Sequence, residues 1–252
     1  MECERERPAF LSEIFVSFQG EGAEVGRKHL FVRFAGCNLR CSYCDTPDSL
    51  ETTARFTVDW PDGSRIVGSN PVEAGKVAAF VEEVCRQDAA IDMISLTGGE
   101  PLLQHRFISR WLCAHPPPRP CMLETNSTLP APMAALREHI ALVSADLKLP
   151  SSSAERGLWD VHRRFLEALR GRPAYVKIPV DEATDPGELS RGARMVAEIL
   201  PGATLFIQPL TSRQDGRWLI GQTHLQRLLA LATAELPSSR FLPQMHKLAG
   251  IR

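Results

Sequence analysis

Gly36-Cys37-Asn38-Leu39-Arg40-Cys41-Ser42-Tyr43-Cys44-Asp45 sets three thiols within eight residues at the spacing CxxxCxxC, directly behind a short apolar run at 30–34. A loop this tight wraps one small object. Structural zinc takes four protein ligands, normally as two separated pairs, and no second CxxC or HxxxH occurs; a zinc knuckle would borrow its fourth ligand from Cys85, Cys121 or a histidine. Iron and sulfur answer the spacing better. A [4Fe-4S] cube held by only three thiolates keeps one iron open to a ligand, a chemical handle that a closed four-cysteine electron carrier lacks.

Outward from the loop, short apolar β-rich runs alternate with helical periods. The runs are 30–34, 93–97, 121–124, 142–145, 175–180 and 204–208. Asn70-Pro71-Val72-Glu73 reads as a cap with a first-turn proline, followed by Val77, Phe80, Val81 and Val84 at helical spacing. Further helices are expected over 103–113, 154–170, 186–200 and 217–234. Six βα units are too few for a closed eight-stranded barrel, so the expected fold is α/β, a partial, open (βα)6 TIM-like barrel with a parallel sheet and helices outside. The polar segment 46–70 reads as an insertion after the first strand, a surface excursion or small hairpin turning at Pro61-Asp62-Gly63.

Composition narrows the classes. With 252 residues and 44% hydrophobic content, residues 1–252 are expected to form a single domain. Lys plus Arg number 29 against 30 for Asp plus Glu, so no net charge draws the chain to nucleic acid. There is no apolar run of 18 residues, and the opening MECERERPAF carries charges where a signal peptide needs apolar residues. A cytoplasmic protein with no membrane partner is expected. Seven cysteines, three of them clustered, suit a metal site better than disulfides. Of the scattered ones, Cys3 has no assigned role, while Cys85, Cys113 and Cys121 read as small core residues. The seven histidines show no zinc-ligand spacing, which leaves a histidine-based hydrolase little support.

At the end of the second run stands Thr97-Gly98-Gly99-Glu100-Pro101. Two glycines let a ligand approach the backbone closely, exposed amides meet a carboxylate, and Glu100 can accept from an amine. Alone, this is a common βα turn.

Taken together, CxxxCxxC with an aromatic before its last cysteine and a GGE turn ending the next strand resemble the radical S-adenosylmethionine superfamily. That resemblance implies a cluster on Cys37, Cys41 and Cys44 whose open iron is chelated by S-adenosylmethionine, with Gly98, Gly99 and Glu100 at its amino group and Tyr43 beside the adenine. Ser144, Asp146, Lys148 and Gln208, at the ends of later strands, are candidates for holding the nucleoside.

A narrower likeness runs along the chain from residue 13 to 252. Glu13-Ile14-Phe15-Val16-Ser17-Phe18-Gln19-Gly20-Glu21-Gly22, Cys44-Asp45-Thr46, Glu124-Thr125-Asn126-Ser127, Phe206-Ile207-Gln208-Pro209-Leu210 and Gln244-Met245-His246-Lys247 resemble the 7-carboxy-7-deazaguanine synthase family. The family contracts the ring of 6-carboxy-5,6,7,8-tetrahydropterin with loss of ammonia, a lyase reaction on the route to queuosine and related deazapurines. By that resemblance Mg²⁺ is a further cofactor, contacted by Thr46, a hard donor for a hard cation. Phe18, Gln19, Gly20, Arg33, Thr97 and His246 would contact the pterin. Gln19 suits its amide-like edge and Arg33 its carboxylate. The resemblance also implies an external one-electron reductant of flavodoxin or ferredoxin type, and a homodimer. The chain departs from the family in one place, for its insertion carries Arg55 and Arg65 but no lysine before Lys76. Two other readings of the cysteine loop are an activase that installs a glycyl radical and a non-catalytic iron–sulfur electron-transfer protein.

Overall fold

The computed structural model describes residues 8–155, 157–212 and 214–251, so Cys3 lies outside the described residues. In chain order the strands are β1 (Leu11–Phe18), β2 (Lys28–Phe34), β3 (Arg55–Asp59), β4 (Arg65–Ser69), β5 (Met93–Gly98), β6 (Cys121–Thr125), β7 (Leu142–Asp146), β8 (Ala174–Val180), β9 (Leu205–Pro209) and β10 (Arg240–Phe241). The helices are α1 (Ala74–Gln87), α2 (His105–Ala114), α3 (Pro130–Leu136), α4 (Pro150–Ser153), α5 (Trp159–Ala168), α6 (Pro186–Ile199), α7 (Gln222–Glu235) and α8 (Met245–Leu248).

All ten strands join one sheet in the order β10-β9-β8-β7-β6-β5-β2-β1-β3-β4. From β2 through β5 to β9 the neighbours are parallel, and helices return the chain between them. This is the expected open (βα)6 partial barrel. The strands read as apolar runs because helices cover one sheet face and the barrel interior the other. The larger core lies between sheet and helices, centred on side chains such as Trp111, Leu96 and Phe165 that are fully buried. A second cluster of Met93, Met122, Tyr175 and Phe206, drawn from β5, β6, β8 and β9, is separate from it. Gly22 takes a left-handed φ of 65°, and a Cβ there would meet the Tyr175 ring at 2.1 Å, so the turn after β1 closes directly onto that cluster.

The structure departs from the sequence reading in several places. β1 precedes the first expected strand and runs antiparallel to β2. The hairpin of the 46–70 segment is present, with β3 and β4 antiparallel, and it is not a free excursion: β3 pairs parallel with β1 and extends the sheet. Asn70 is not a helix cap. Its amide donates to Leu11 O and Thr53 O and accepts from Leu11 N, so it completes the edge of β1, and α1 begins four residues later. The expected helix over 154–170 is shortened to α5, preceded by the single turn α4, and the one over 217–234 starts only at Gln222. α3 carried no recognised signal, being seven residues with prolines at its first and third positions. Cys85 and Cys121 are buried as expected, but Cys113 is exposed on α2, with its thiol 3.3 Å from His139 Nε2. None of the six described cysteines forms a disulfide. No described helix is long and apolar enough to cross a membrane.

Candidate active site

At the carboxyl ends of the parallel strands, where barrel folds place their chemistry, a cavity of about 700 Å³ opens. Cys37, Cys41 and Cys44 all line it. Their loop is fastened to three neighbours: Gly36 N and Cys37 N donate to Ser49 O and Leu50 O, Ser42 N and Oγ donate to Ser153 O and Ser152 O, and Asn38 Nδ2 donates to Thr128 Oγ1 at 2.8 Å. Leu39 N donates toward Cys37 Sγ at 3.4 Å. Burial pushes the Cys37 thiol up and the Cys41 thiol up to about 11, and a bound metal's charge is what would draw such thiols into the thiolate form.

The donor set fits a cluster better than a single ion. Cys37, Cys41 and Cys44 bring three soft sulfur donors, none of them in a disulfide, to one cavity, whereas structural zinc takes four protein ligands, normally as two separated pairs. Three thiolates that leave one corner open suit an iron–sulfur cluster.

Of the residues expected to hold S-adenosylmethionine, Tyr43, Gly98, Gly99, Asp146, Lys148 and Gln208 line the cavity. Lys148 Nζ bonds Asp146 Oδ2 at 2.9 Å and lies 5.4 Å from the centre of the Tyr43 ring. Gly98 has φ 136°, and a Cβ there would strike Phe34 O at 2.1 Å; only glycine lets β5 end against β2 in this way. Two expected contacts are not on the wall. Ser144 is buried two residues before Asp146 on β7, and its hydroxyl does not reach the cavity. Glu100 is fully buried, and its carboxylate accepts from Leu102 N at 3.0 Å, Thr125 Oγ1 at 2.9 Å and Asn126 N at 2.8 Å. Burial pushes its carboxyl up to about 7, against the pull of those donors. Here Glu100 knits the turn after β5 to the end of β6.

Gln19, Gly20, Arg33, Thr97 and His246 line the same cavity. Gln19 Nε2 donates to Glu124 Oε1 at 2.6 Å and Thr97 Oγ1 to Glu124 Oε2 at 2.9 Å, while burial pushes the Glu124 carboxyl up. Arg33 donates from Nε to Glu13 Oε1 at 2.7 Å and sits 5.4 Å over the Phe15 ring. Phe18 is the exception: it is 48% exposed and absent from the cavity wall. Along β1, Glu13 and Phe15 face the cavity, and two-residue alternation sends Phe18 to the other face with Ile14 and Val16.

Thr46 lines the cavity beside Asp45, and Glu21, Asp45 and His246 bring ligand atoms within 4.8 Å of one another. Much of the Glu21 carboxylate is already engaged. It pairs with Lys177 and accepts from Gln208 Nε2 at 3.1 Å and Gln244 Nε2 at 3.0 Å. Burial alone would raise its pKa, but Lys177 and His246 hold it far below the usual carboxylate range. Thr46 and Asp45 offer hard oxygen donors of the kind Mg²⁺ takes, with Asp45 Oδ2 also accepting from Gln244 Nε2 at 3.3 Å and facing Lys247 Nζ at 3.6 Å.

The cavity also holds residues to which the sequence reading gave no role: Glu21, Asp45, Glu124, Lys177 and Gln244. Four of these stand inside or beside quoted motifs. Lys177 had only one signal, a lone charge in an otherwise apolar strand.

The model of the radical SAM superfamily matches residues 31–181. A protein of Geobacter sulfurreducens named 7-carboxy-7-deazaguanine synthase is 38% identical over 247 residues, covering 96% of this chain and 97% of that relative. The chain belongs to the radical SAM superfamily and, within it, to the 7-carboxy-7-deazaguanine synthase family. A relative of the same name from Archaeoglobus fulgidus is 33% identical, over 97% of this chain and 99% of its own length. The crystal structure of QueE from Escherichia coli overlays with a TM-score of 0.59 at 18% identity, covering 95% of both chains, which shows the shared fold. As a radical SAM family member, the chain has an iron–sulfur cluster and S-adenosylmethionine as its cofactors.

Proposed function

We propose that this chain is a lyase that contracts the ring of 6-carboxy-5,6,7,8-tetrahydropterin to give 7-carboxy-7-deazaguanine with loss of ammonia, serving queuosine or another deazapurine. The observation that carries this reading is the joining, in one cavity, of the three-cysteine loop with the Gln19–Glu124–Thr97 group. When bound, the cluster and S-adenosylmethionine supply one electron and a hydrogen-abstracting alkyl radical; the protein's part is to orient and to exclude water.

Each wall has its own task. Cys37, Cys41 and Cys44 hold the cluster, while Tyr43, Gly98, Gly99, Asp146, Lys148 and Gln208 line the bed of the cofactor. Ser144 and Glu100 support that bed from behind. Glu124, braced by Gln19 and Thr97, presents carboxylate oxygens to the N–H groups of a pterin edge. Arg33, steered by Glu13 and backed by Phe15, offers its guanidinium to the substrate carboxylate. His246 packs against Gly20, where a Cβ would lie 2.3 Å from its ring, and so closes the substrate end. Thr46, with Asp45, is the proposed Mg²⁺ contact.

We read residues 1–252 as one domain, supported by the single sheet, and the protein as a cytoplasmic homodimer served by an external flavodoxin- or ferredoxin-type reductant. The test is anaerobic incubation of reconstituted protein with 6-carboxytetrahydropterin, S-adenosylmethionine, Mg²⁺ and dithionite, followed by mass spectrometry. The product 7-carboxy-7-deazaguanine is expected. Release of 5′-deoxyadenosine without it would point to a different substrate such as a polypeptide glycine, and absence of both would point to electron transfer alone.

A further inference from the structure

The polar groups around the cavity form a closed circuit. Gln244 Nε2 donates to Asp45 Oδ2 at 3.3 Å and to Glu21 Oε1 at 3.0 Å. Lys177 Nζ pairs with Glu21 Oε2 and, at 3.2 Å, with Asp146 Oδ1. Lys148 Nζ holds Asp146 Oδ2 at 2.9 Å and lies over Tyr43. Asp45 and Tyr43 flank Cys44, so the circuit leaves the cysteine loop on one side and returns on the other.

Lys177 touches both a group of the substrate end, Glu21, and a group of the cofactor bed, Asp146, and it is the charged link between the two sides, beside the neutral one from Gln208 Nε2 to Glu21. It is 4% exposed and stands in β8 between Val176 and Ile178, both fully buried. A charge there carries a desolvation cost, and a buried ion pair is often no more stabilising than apolar side chains of the same size. Stability is thus a weak reason for a lysine in this strand. Geometry is a better one, because an ammonium on a four-carbon stem can hold two carboxylates from different walls at a fixed separation. Burial works against its charge, but Asp146, Glu21 and Glu124 keep it protonated, which suits a fixed strut and not a proton donor.

Building on the proposed reaction, we propose that Lys177 is a positioning residue that keeps the substrate end of the cavity in register with the cofactor bed, so that hydrogen abstraction is aimed at one bond. Without the strut, the cofactor is still cleaved but its radical meets a displaced substrate. Cleavage and product formation come apart, whereas a residue needed only for folding lowers both together.

The experiment compares anaerobically reconstituted wild type with Lys177→Met and Lys177→Arg. Free 5′-deoxyadenosine and 7-carboxy-7-deazaguanine are measured in the same reaction and normalised to cluster iron. The ratio of the first to the second is expected to rise at least about tenfold in Lys177→Met and to stay within about threefold in Lys177→Arg, since a displacement on the order of 1 Å at a reacting centre costs far more than binding alone. Independently of turnover, the dissociation constant of 6-carboxypterin, read from its fluorescence, is expected to weaken about tenfold in Lys177→Met and to be rescued in Lys177→Arg. Should Lys177→Met not fold, Lys177→Gln, which keeps a polar group in the strand without the charge, carries the same expectation. An unchanged ratio and an unchanged dissociation constant, with turnover merely reduced, would overturn the proposal while leaving the reaction in place. A wild type that makes no 7-carboxy-7-deazaguanine overturns the reaction and this proposal with it.

Discussion

The Gln19 side-chain amide donates to the Glu124 carboxylate across 2.6 Å, tying the turn after β1 to the end of β6 over 105 residues of sequence. Glu124 takes its second donor from Thr97 at 2.9 Å, so its position is fixed before any substrate arrives. Glu124→Ala removes a charged acceptor from the cavity wall. It is expected to lower kcat/KM for the pterin about 100-fold, corresponding to roughly 3 kcal/mol for a hydrogen bond to a charged group. Cluster content should be unchanged, and steady-state kinetics alongside iron analysis checks both.

Cys41 is half-buried in the loop pinned by Ser42 to Ser152 and Ser153. Cys41→Ala removes one of the three proposed cluster ligands. Iron and sulfide content should fall to background after anaerobic reconstitution, and with them both 5′-deoxyadenosine and product; retained turnover would remove the basis of the mechanism.

Gly98 permits β5 to close on β2 only because it lacks a side chain. Gly98→Ala places a Cβ 2.1 Å from Phe34 O at a φ of 136°, so the turn must shift. A destabilisation of roughly 1–3 kcal/mol is expected from the backbone conformation alone. Thermal unfolding gives that figure, and S-adenosylmethionine binding should weaken at the same time, because Gly98 and Gly99 line the proposed cofactor bed.

His162 is buried and neutral. Its Nδ1 contacts Ser127 O at 3.1 Å and its Nε2 accepts from Lys148 N at 3.2 Å, which assigns the proton to Nδ1. Burial, with smaller opposing effects from those hydrogen bonds, lowers its pKa from 6.5 to about 4. A depressed histidine means that the unfolded chain binds the proton first. The stability contribution is therefore complete above pH 6.5 and is lost as the pH falls toward 4, by roughly 3 kcal/mol in all. Denaturant unfolding between pH 7.5 and 4.5 should show a shallower decline for His162→Gln than for wild type.

Much of the architecture was legible because it rests on local patterns. The runs at 93–97, 121–124, 142–145, 175–180 and 204–208 became β5 to β9 with ends shifted by a residue at most. Asn70 misled because its amide can cap a helix or stand in for a strand's backbone, and only the arrival of β1 decides between them. Phe18 was placed by motif, but motif does not say which way a strand side chain points; pairing and pleat do, while Ser144 shares the Asp146 face of β7 and lies buried two residues deeper along the strand.

The sequence by itself determined the cysteine loop, because three thiols in eight residues are brought together by a single turn of chain whatever surrounds them. It also determined the order of βα units, whose apolar periods are written locally. Tertiary structure alone decided what the rest of the cavity is made of. Glu21, Lys177 and Gln244 are separated by 156 and 67 positions, and they meet only because the parallel sheet lays the ends of β1, β8 and the C-terminal segment around one opening. The same closure turned Glu100 inward, where its desolvated carboxylate finds its donors in Leu102 N of its own turn and, at the end of β6, in the Thr125 hydroxyl and Asn126 N.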